Sequence, residues 1–241
     1  MRRLTFAVCA VLVGCGGSGS AGDDATDGGP GADASIGGTC TGAPLEGAGE
    51  GTYYAATGAG NCSFDATPGD LMVAALNAPD YGSADGCGAC VAVTGPAGEV
   101  TVRIVDSCPE CAAGDLDLSA EAFAMISPLS AGRVAISWRE VPCDVSGPLG
   151  YHFKDGSSQY WTAIQVRNHR YPIARLEAEQ GGAYVDIPRL SYNYFVAEGG
   201  LGVGPYALRV TDTRGHVVED TGIAVGDDVT RTGAGQFPVC P

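Results

Sequence analysis

Apolar residues in this chain alternate more often than they recur at helical spacing. In "VTVRIVD", Val100, Val102 and Ile104 face one side and Thr101, Arg103 and Val105 the other, which predicts a strand ending at Asp106. "RVAISWREV" reads as another strand. In "YWTAIQVRN", Thr162, Ile164 and Val166 share one face, and Trp161, Ala163, Gln165 and Arg167 share the other. "YALRVTDTRGHVVEDTGIAV" predicts two strands joined by a tight turn at Arg214-Gly215. Two segments read as short helices. "TPGDLMVAALNAP" has Thr67 as a cap, Pro68 in the first turn and Asp70 three residues after the cap. "DLSAEAFAMI" has Ser119 as a cap, with Phe123 and Ile126 turned inward. The pattern predicts a mainly β chain: a compact β-barrel in the first half and an immunoglobulin-like sandwich in the second.

The start of the chain departs from this pattern. Arg2 and Arg3 precede an apolar run, Leu4–Val13, that is too short to span a bilayer, and "LVGC" closes it at Cys15. This predicts an export signal over residues 1–15, with a lipobox-like end that makes Cys15 the lipidated residue. Residues 16–38 have no periodicity and almost no bulky apolar side chain, so they read as a flexible tether. The folded body then divides at "CDVSGPLG" into residues 39–145 and 146–241, where the composition changes. The expected location is the bacterial outer membrane or cell surface through the lipid, or the medium.

Export changes the meaning of the cysteines. "CGAC" at Cys87–Cys90 and "CPEC" at Cys108–Cys111, with seventeen residues between them, match zinc-ribbon spacing. Yet an oxidising compartment favours disulfides, and His152, His169 and His216 lie far from both pairs in sequence. Without Cys9 in the signal and Cys15 at the lipid, eight cysteines remain, enough for four bonds of open connectivity. No metal and no cofactor is expected.

Charge narrows the ligand class. The chain has a net charge of −15. Residues 40–145 carry 14 acidic and 3 basic side chains, and residues 146–241 carry 10 and 8. Nucleic acid needs a basic footprint and is excluded. Electrostatic binding to acidic polymers such as pectin is disfavoured, which leaves neutral polymers. Two carboxylates stand out, Asp106 at a strand end and Asp117 before a helix cap; in an apolar cleft either could hold a proton near neutral pH. The plainer reading makes them a strand end and a helix start. Trp161 on the polar face of a strand could stack on a flat sugar ring, with Tyr160 beside it, Tyr192 extending the row, and Lys154, the single lysine, just upstream. The plainer reading packs Trp161 under a loop and the tyrosines in the core.

"FKDGSSQYWTAIQVRNHRYPI", "YNYF", "VTDTRGHVVEDT" and "DLDLS" together resemble expansins, especially the bacterial expansin-like proteins, over nearly all of residues 47–238; "GCGAC" resembles the plant form. The resemblance implies a six-stranded double-psi β-barrel related to family 45 glycoside hydrolases. An immunoglobulin-like cellulose-binding module of family 63 follows it. The two share one polysaccharide groove, and the family loosens plant cell walls without detectable hydrolysis. Carried over residue by residue, Thr52, Asp106 and Asp117 are the polar groove residues of the barrel. Tyr160, Trp161 and Tyr192 are the aromatic row, and Lys154 is its basic neighbour. Resemblance to plant members implies Cys62–Cys87 and Cys90–Cys143; Cys108–Cys111 and Cys40–Cys240 take the remaining cysteines.

The sequence departs from the family pattern in places. Cys108 stands where the bacterial form has a tyrosine, and Tyr160 where tryptophan is frequent. An inverting glycosidase needs two carboxylates, and the related hydrolases carry the base on the first strand. "TYYAATGAG" holds no carboxylate there, and the nearest downstream is Asp65. Three functions follow in order: non-hydrolytic loosening by a monomer bound to cellulose or another neutral β-glucan; a glycan-cleaving enzyme acting on glucan or peptidoglycan; or a surface cellulose adhesin.

Overall fold

A computed structural model describes residues 40–241. The signal-like segment, Cys15 and the tether lie outside the described residues.

The first half closes on itself. Strands β1 (Glu46–Tyr54), β2 (Val73–Asn77), β3 (Cys90–Gly95), β4 (Gly98–Cys108), β5 (Leu116–Ser119) and β6 (Val134–Val141) form a barrel in the order β1-β5-β2-β4-β3-β6. Two parallel pairs, β1 with β5 and β2 with β4, sit among antiparallel ones. Val91, Val93, Val102, Ile104, Leu116 and Leu118 fill the interior. Helix α1 (Ala78–Tyr81) follows β2, and α2 (Ala120–Ile126) follows β5. Ser119 caps α2 by accepting from the Ala122 N–H at 3.0 Å, and Phe123 and Ile126 are buried as expected.

The other expected helix is wrong. Most of "LMVAALN" is strand β2, five buried residues wedged between β4 and β5. A continuous apolar run of this length reads the same as a buried helix, and burial on both faces decides for a strand. The cap is Asn77 instead, whose Oδ1 accepts from the Asp80 N–H at 3.0 Å. Thr67 closes a turn by donating to the Asp70 carbonyl at 2.7 Å.

Two further boundaries move. β4 runs past Asp106 to Cys108, and its register with β2 slips so that Ala74 opposes Ile104 while Ala75 opposes Asp106. Such an irregularity re-aims side chains: Val105 is buried against the core, and Asp106 faces out. Asp117 lies inside β5 and opposes Thr52 of β1.

The second half is a two-sheet sandwich. β9 (Ile173–Gln180), β10 (Ala183–Asp186), β12 (Tyr206–Asp212) and β13 (Val217–Ile223) form one sheet. β7 (Gly150–Phe153), β8 (Thr162–Arg167), β11 (Phe195–Ala197) and β14 (Val229–Thr232) form the other. Tyr151, Phe153, Ile164, Leu176, Leu208 and Phe237 pack between them. The β12–β13 turn needs Gly215, whose φ is 86°.

The polar face of β8 is buried as well, because the barrel covers it. Gln165 donates to the carbonyls of Cys62 (2.8 Å) and Ser63 (3.2 Å), and Asn193 to that of Cys62 (3.1 Å). Arg167 pairs with Asp65 at 2.6 Å, and Arg214 with Glu140 at 2.9 Å. Disulfides Cys62–Cys87, Cys90–Cys143, Cys108–Cys111 and Cys40–Cys240 are all formed. The last ties the first described residue to the end of the sandwich.

Candidate functional site

Strand alternation in β1 turns Thr52 toward β5, where its hydroxyl donates to Asp117 Oδ1 at 2.6 Å. Partial burial pushes the Asp117 carboxyl above its ordinary range. The Thr52 hydrogen bond acts against that shift, while the negative charges of Asp106 and Glu110 reinforce it. Asp117 therefore holds a proton more readily than an ordinary carboxylate does, and Thr52 fixes its orientation.

Asp106 is held differently. Its Oδ1 accepts from the backbone N–H of Asn61 (2.7 Å) and of Ser107 (2.8 Å). Gly60 makes this possible: a Cβ there would lie 2.5 Å from Asp106 Cβ and Cγ. Tyr54, two residues after Thr52, completes the cluster. Its hydroxyl is buried with no hydrogen-bond partner among the described residues. Burial, then the charges of Asp106 and Asp117, push its pKa up to about 12. Sequence reading passed over Tyr54, although the alternation of β1 puts it on the face of Thr52.

The aromatic residues gather on the sandwich. Tyr160 is 75% exposed, the most exposed large apolar side chain among the described residues. Trp161 and Tyr192 are half-buried against a small cluster of Ala163, Tyr194 and Val196. Trp161 is thus neither fully exposed nor lost under a loop. Tyr194, also unforeseen, lies 5.9 Å from Tyr192 between ring centroids, and Lys154 Nζ stands 6.0 Å from its ring.

One residue joins the two groups. The Asn61 N–H binds Asp106, and the Asn61 side-chain amide donates to the Ser191 carbonyl at 2.9 Å, next to Tyr192. Tyr81 OH reinforces this by donating to the same carbonyl at 2.9 Å. Asp106 of the barrel and the aromatic row of the sandwich are therefore tied together through Asn61, with Tyr81 as a second tie to the same carbonyl.

No family model matches the chain. Among curated proteins, Expansin-YoaJ of Bacillus subtilis is 40% identical over 174 residues, covering 70% of this chain and 75% of its own. The chain belongs to the expansin family. The crystal structure of the apo Clavibacter michiganensis expansin superposes with a TM-score of 0.75 at 34% identity, over 81% of this chain and all of that one. A mutant of the same Clavibacter protein, in complex with cellohexaose, matches with the same TM-score at 33% identity and the same coverage.

Within this expansin, a partner base for Asp117 is hard to find. Asp65, the first carboxylate after β1, is engaged with Arg167 at the domain junction. Asp106 and Glu110, whose charges reach Asp117, both come from β4 and the short Cys108–Cys111 loop behind it. Nothing on β1 beyond Thr52 supplies an acid.

Proposed function

We propose that this expansin binds cellulose or a related neutral β-glucan along one surface, and loosens plant-type wall material without cutting it. Tyr160, Trp161 and Tyr192 stack on the sugar faces, and Lys154 hydrogen-bonds at their edge. Thr52, Asp106 and Asp117 grip the continuation of the chain on the barrel. The observation that carries this reading is the Asn61 link, which makes the two half-sites one rigid surface. The cellohexaose complex of the Clavibacter relative supports the ligand class. Four disulfides suit an exported protein. In this reading residues 1–15 direct export, Cys15 carries the lipid, and the domain pair works as a monomer at the cell surface.

Mechanically, Asp117 in its proton-bearing form donates to a glucan oxygen while Thr52 keeps it aimed. Stacking energy on the sandwich then holds the strand in a course that differs from its packing in the wall. With no base placed for attack by water, binding energy ends in displacement rather than cleavage.

The decisive measurement is reducing-end release from swollen cellulose and from peptidoglycan, together with creep of a plant wall strip under load. Creep without sugar release, lost in Asp117→Asn while cellulose binding persists, is expected. Fragments released by the wild type and not by Asp117→Ala would overturn it in favour of a glycan-cleaving enzyme. Binding without creep would leave an adhesin.

A further inference from the structure

One cation outside the groove is unused by this reading. Arg103 of β4 is half-buried, and among the described residues its guanidinium makes no hydrogen bond and no ion pair. It lies over the Phe64 ring, 4.0 Å from the centroid. Burial, with the positive charge of Arg167 acting the same way and Asp70 opposing, brings its pKa down to about 10, so it stays charged at neutral pH. The neighbouring Arg167 is satisfied, by Asp65 (2.6 Å) and by Gln165 Oε1 (2.6 Å). A guanidinium offers five N–H donors in a planar fork, and with no protein acceptor among the described residues these remain available to a ligand.

Arg103 lines a cavity of about 470 Å³ at the junction of barrel and sandwich. Its size falls in the ordinary range for small-molecule sites, roughly 300–1,000 Å³. None of Thr52, Asp106, Asp117, Tyr160, Trp161 and Tyr192 lines it, so it is separate from the glucan surface. Cys90 and Cys143, joined to each other, form part of its wall. Phe64 holds the guanidinium plane from one side. The site is therefore preformed.

Its remaining polar lining selects the ligand. Asp65, Asp70 and Asp144 are exposed at the same cavity, and carboxylates only accept hydrogen bonds. They suit sugar hydroxyls, which donate, and their charge disfavours a compact dianion such as phosphate more than a single carboxylate. Arg103 asks for one planar carboxylate, the group its fork matches best. One carboxylate surrounded by several hydroxyls is the chemistry of a uronic acid. We infer that the junction cavity is a second carbohydrate site, taking a single uronic acid with its carboxylate on Arg103 and its hydroxyls on Asp70 and Asp144. Recognition is local: a chain of net charge −15 does not attract polyanions at long range.

The test is a titration of the full-length protein with galacturonic and glucuronic acids, following the Arg103 Nε–H by NMR. Galactose, glucose, the uronic acid methyl esters and inorganic phosphate serve as comparisons. The uronic acids are expected to shift the Arg103 signal, while the neutral sugars and the esters do not. Arg103→Lys should weaken the response at least tenfold and Arg103→Gln abolish it, with cellulose pull-down unchanged in both. The inference is overturned by no response in the wild type, by an equal response to the esters or to phosphate, or by uronate binding retained in Arg103→Gln. The ester comparison uses wild-type protein, so it decides even where a variant folds poorly.

Discussion

Removing Arg214 should destabilise this expansin in a way that depends on pH. The Glu140 side chain on β6 is fully buried, and Arg214 in the β12–β13 turn is its cationic partner at 2.9 Å. Taking away one member of a buried pair leaves the other charge uncompensated, at about 3–5 kcal/mol. Whole domains are stable by only about 5–15 kcal/mol, so Arg214→Leu is a severe change at neutral pH. Burial raises the Glu140 pKa even in the native protein, with Arg214 and the Leu45 N–H pulling the other way. Without Arg214 it rises further. The native state then holds the proton more tightly than the unfolded chain does. Stability is therefore retained at and below the unfolded glutamate value, about 4.3, and lost as pH rises through the higher native one. Arg214 also donates to the Gly42 carbonyl at 2.7 Å, so about 1 kcal/mol of the loss should persist in acid. Urea unfolding at neutral pH and at about pH 4 measures both parts, and Glu140→Gln added to Arg214→Leu should recover most of the neutral-pH loss. A loss below about 1 kcal/mol at neutral pH, or the same loss at both pH values, would refute the reasoning.

Trp161→Ala should weaken cellulose binding about fivefold, from roughly 1 kcal/mol of lost stacking, as read by pull-down isotherms; an unchanged isotherm removes Trp161 from the site. Thr52→Val deletes the hydrogen bond that lowers the Asp117 pKa, so a carboxyl NMR titration should find Asp117 titrating higher than in the wild type, and a fall would contradict the geometry. Replacing Cys90 and Cys143 by serine opens a 53-residue separation and should cost about 4 kcal/mol, measured by the shift in the urea midpoint. It should also weaken uronate binding, because both residues line the junction cavity.

Much of this architecture was legible locally. Alternation identified β4, β6, β8, β12 and β13, and the Ser119 cap located α2, because strand pleat and helix capping are set by neighbours in sequence. The family motifs carried the barrel, the sandwich and two of the four disulfides, Cys62–Cys87 and Cys90–Cys143. What pattern could not decide depended on what lies on the other side of each element. "VAALN" became a strand because β4 and β5 enclose it. The polar face of β8 became buried because the barrel supplies the Cys62 and Ser63 carbonyls to Gln165. A register slip between β2 and β4, invisible in a one-dimensional pattern, decides where Asp106 points. The sequence by itself determined which residue types were available: two acids and a threonine, a row of aromatics, and no acid on β1 beyond Thr52. Only the tertiary structure decided that Asn61 would lock these into one surface and that Arg103 would face a cavity without a partner. Both result from packing barrel against sandwich, and contacts between residues a hundred positions apart leave no local periodicity to read.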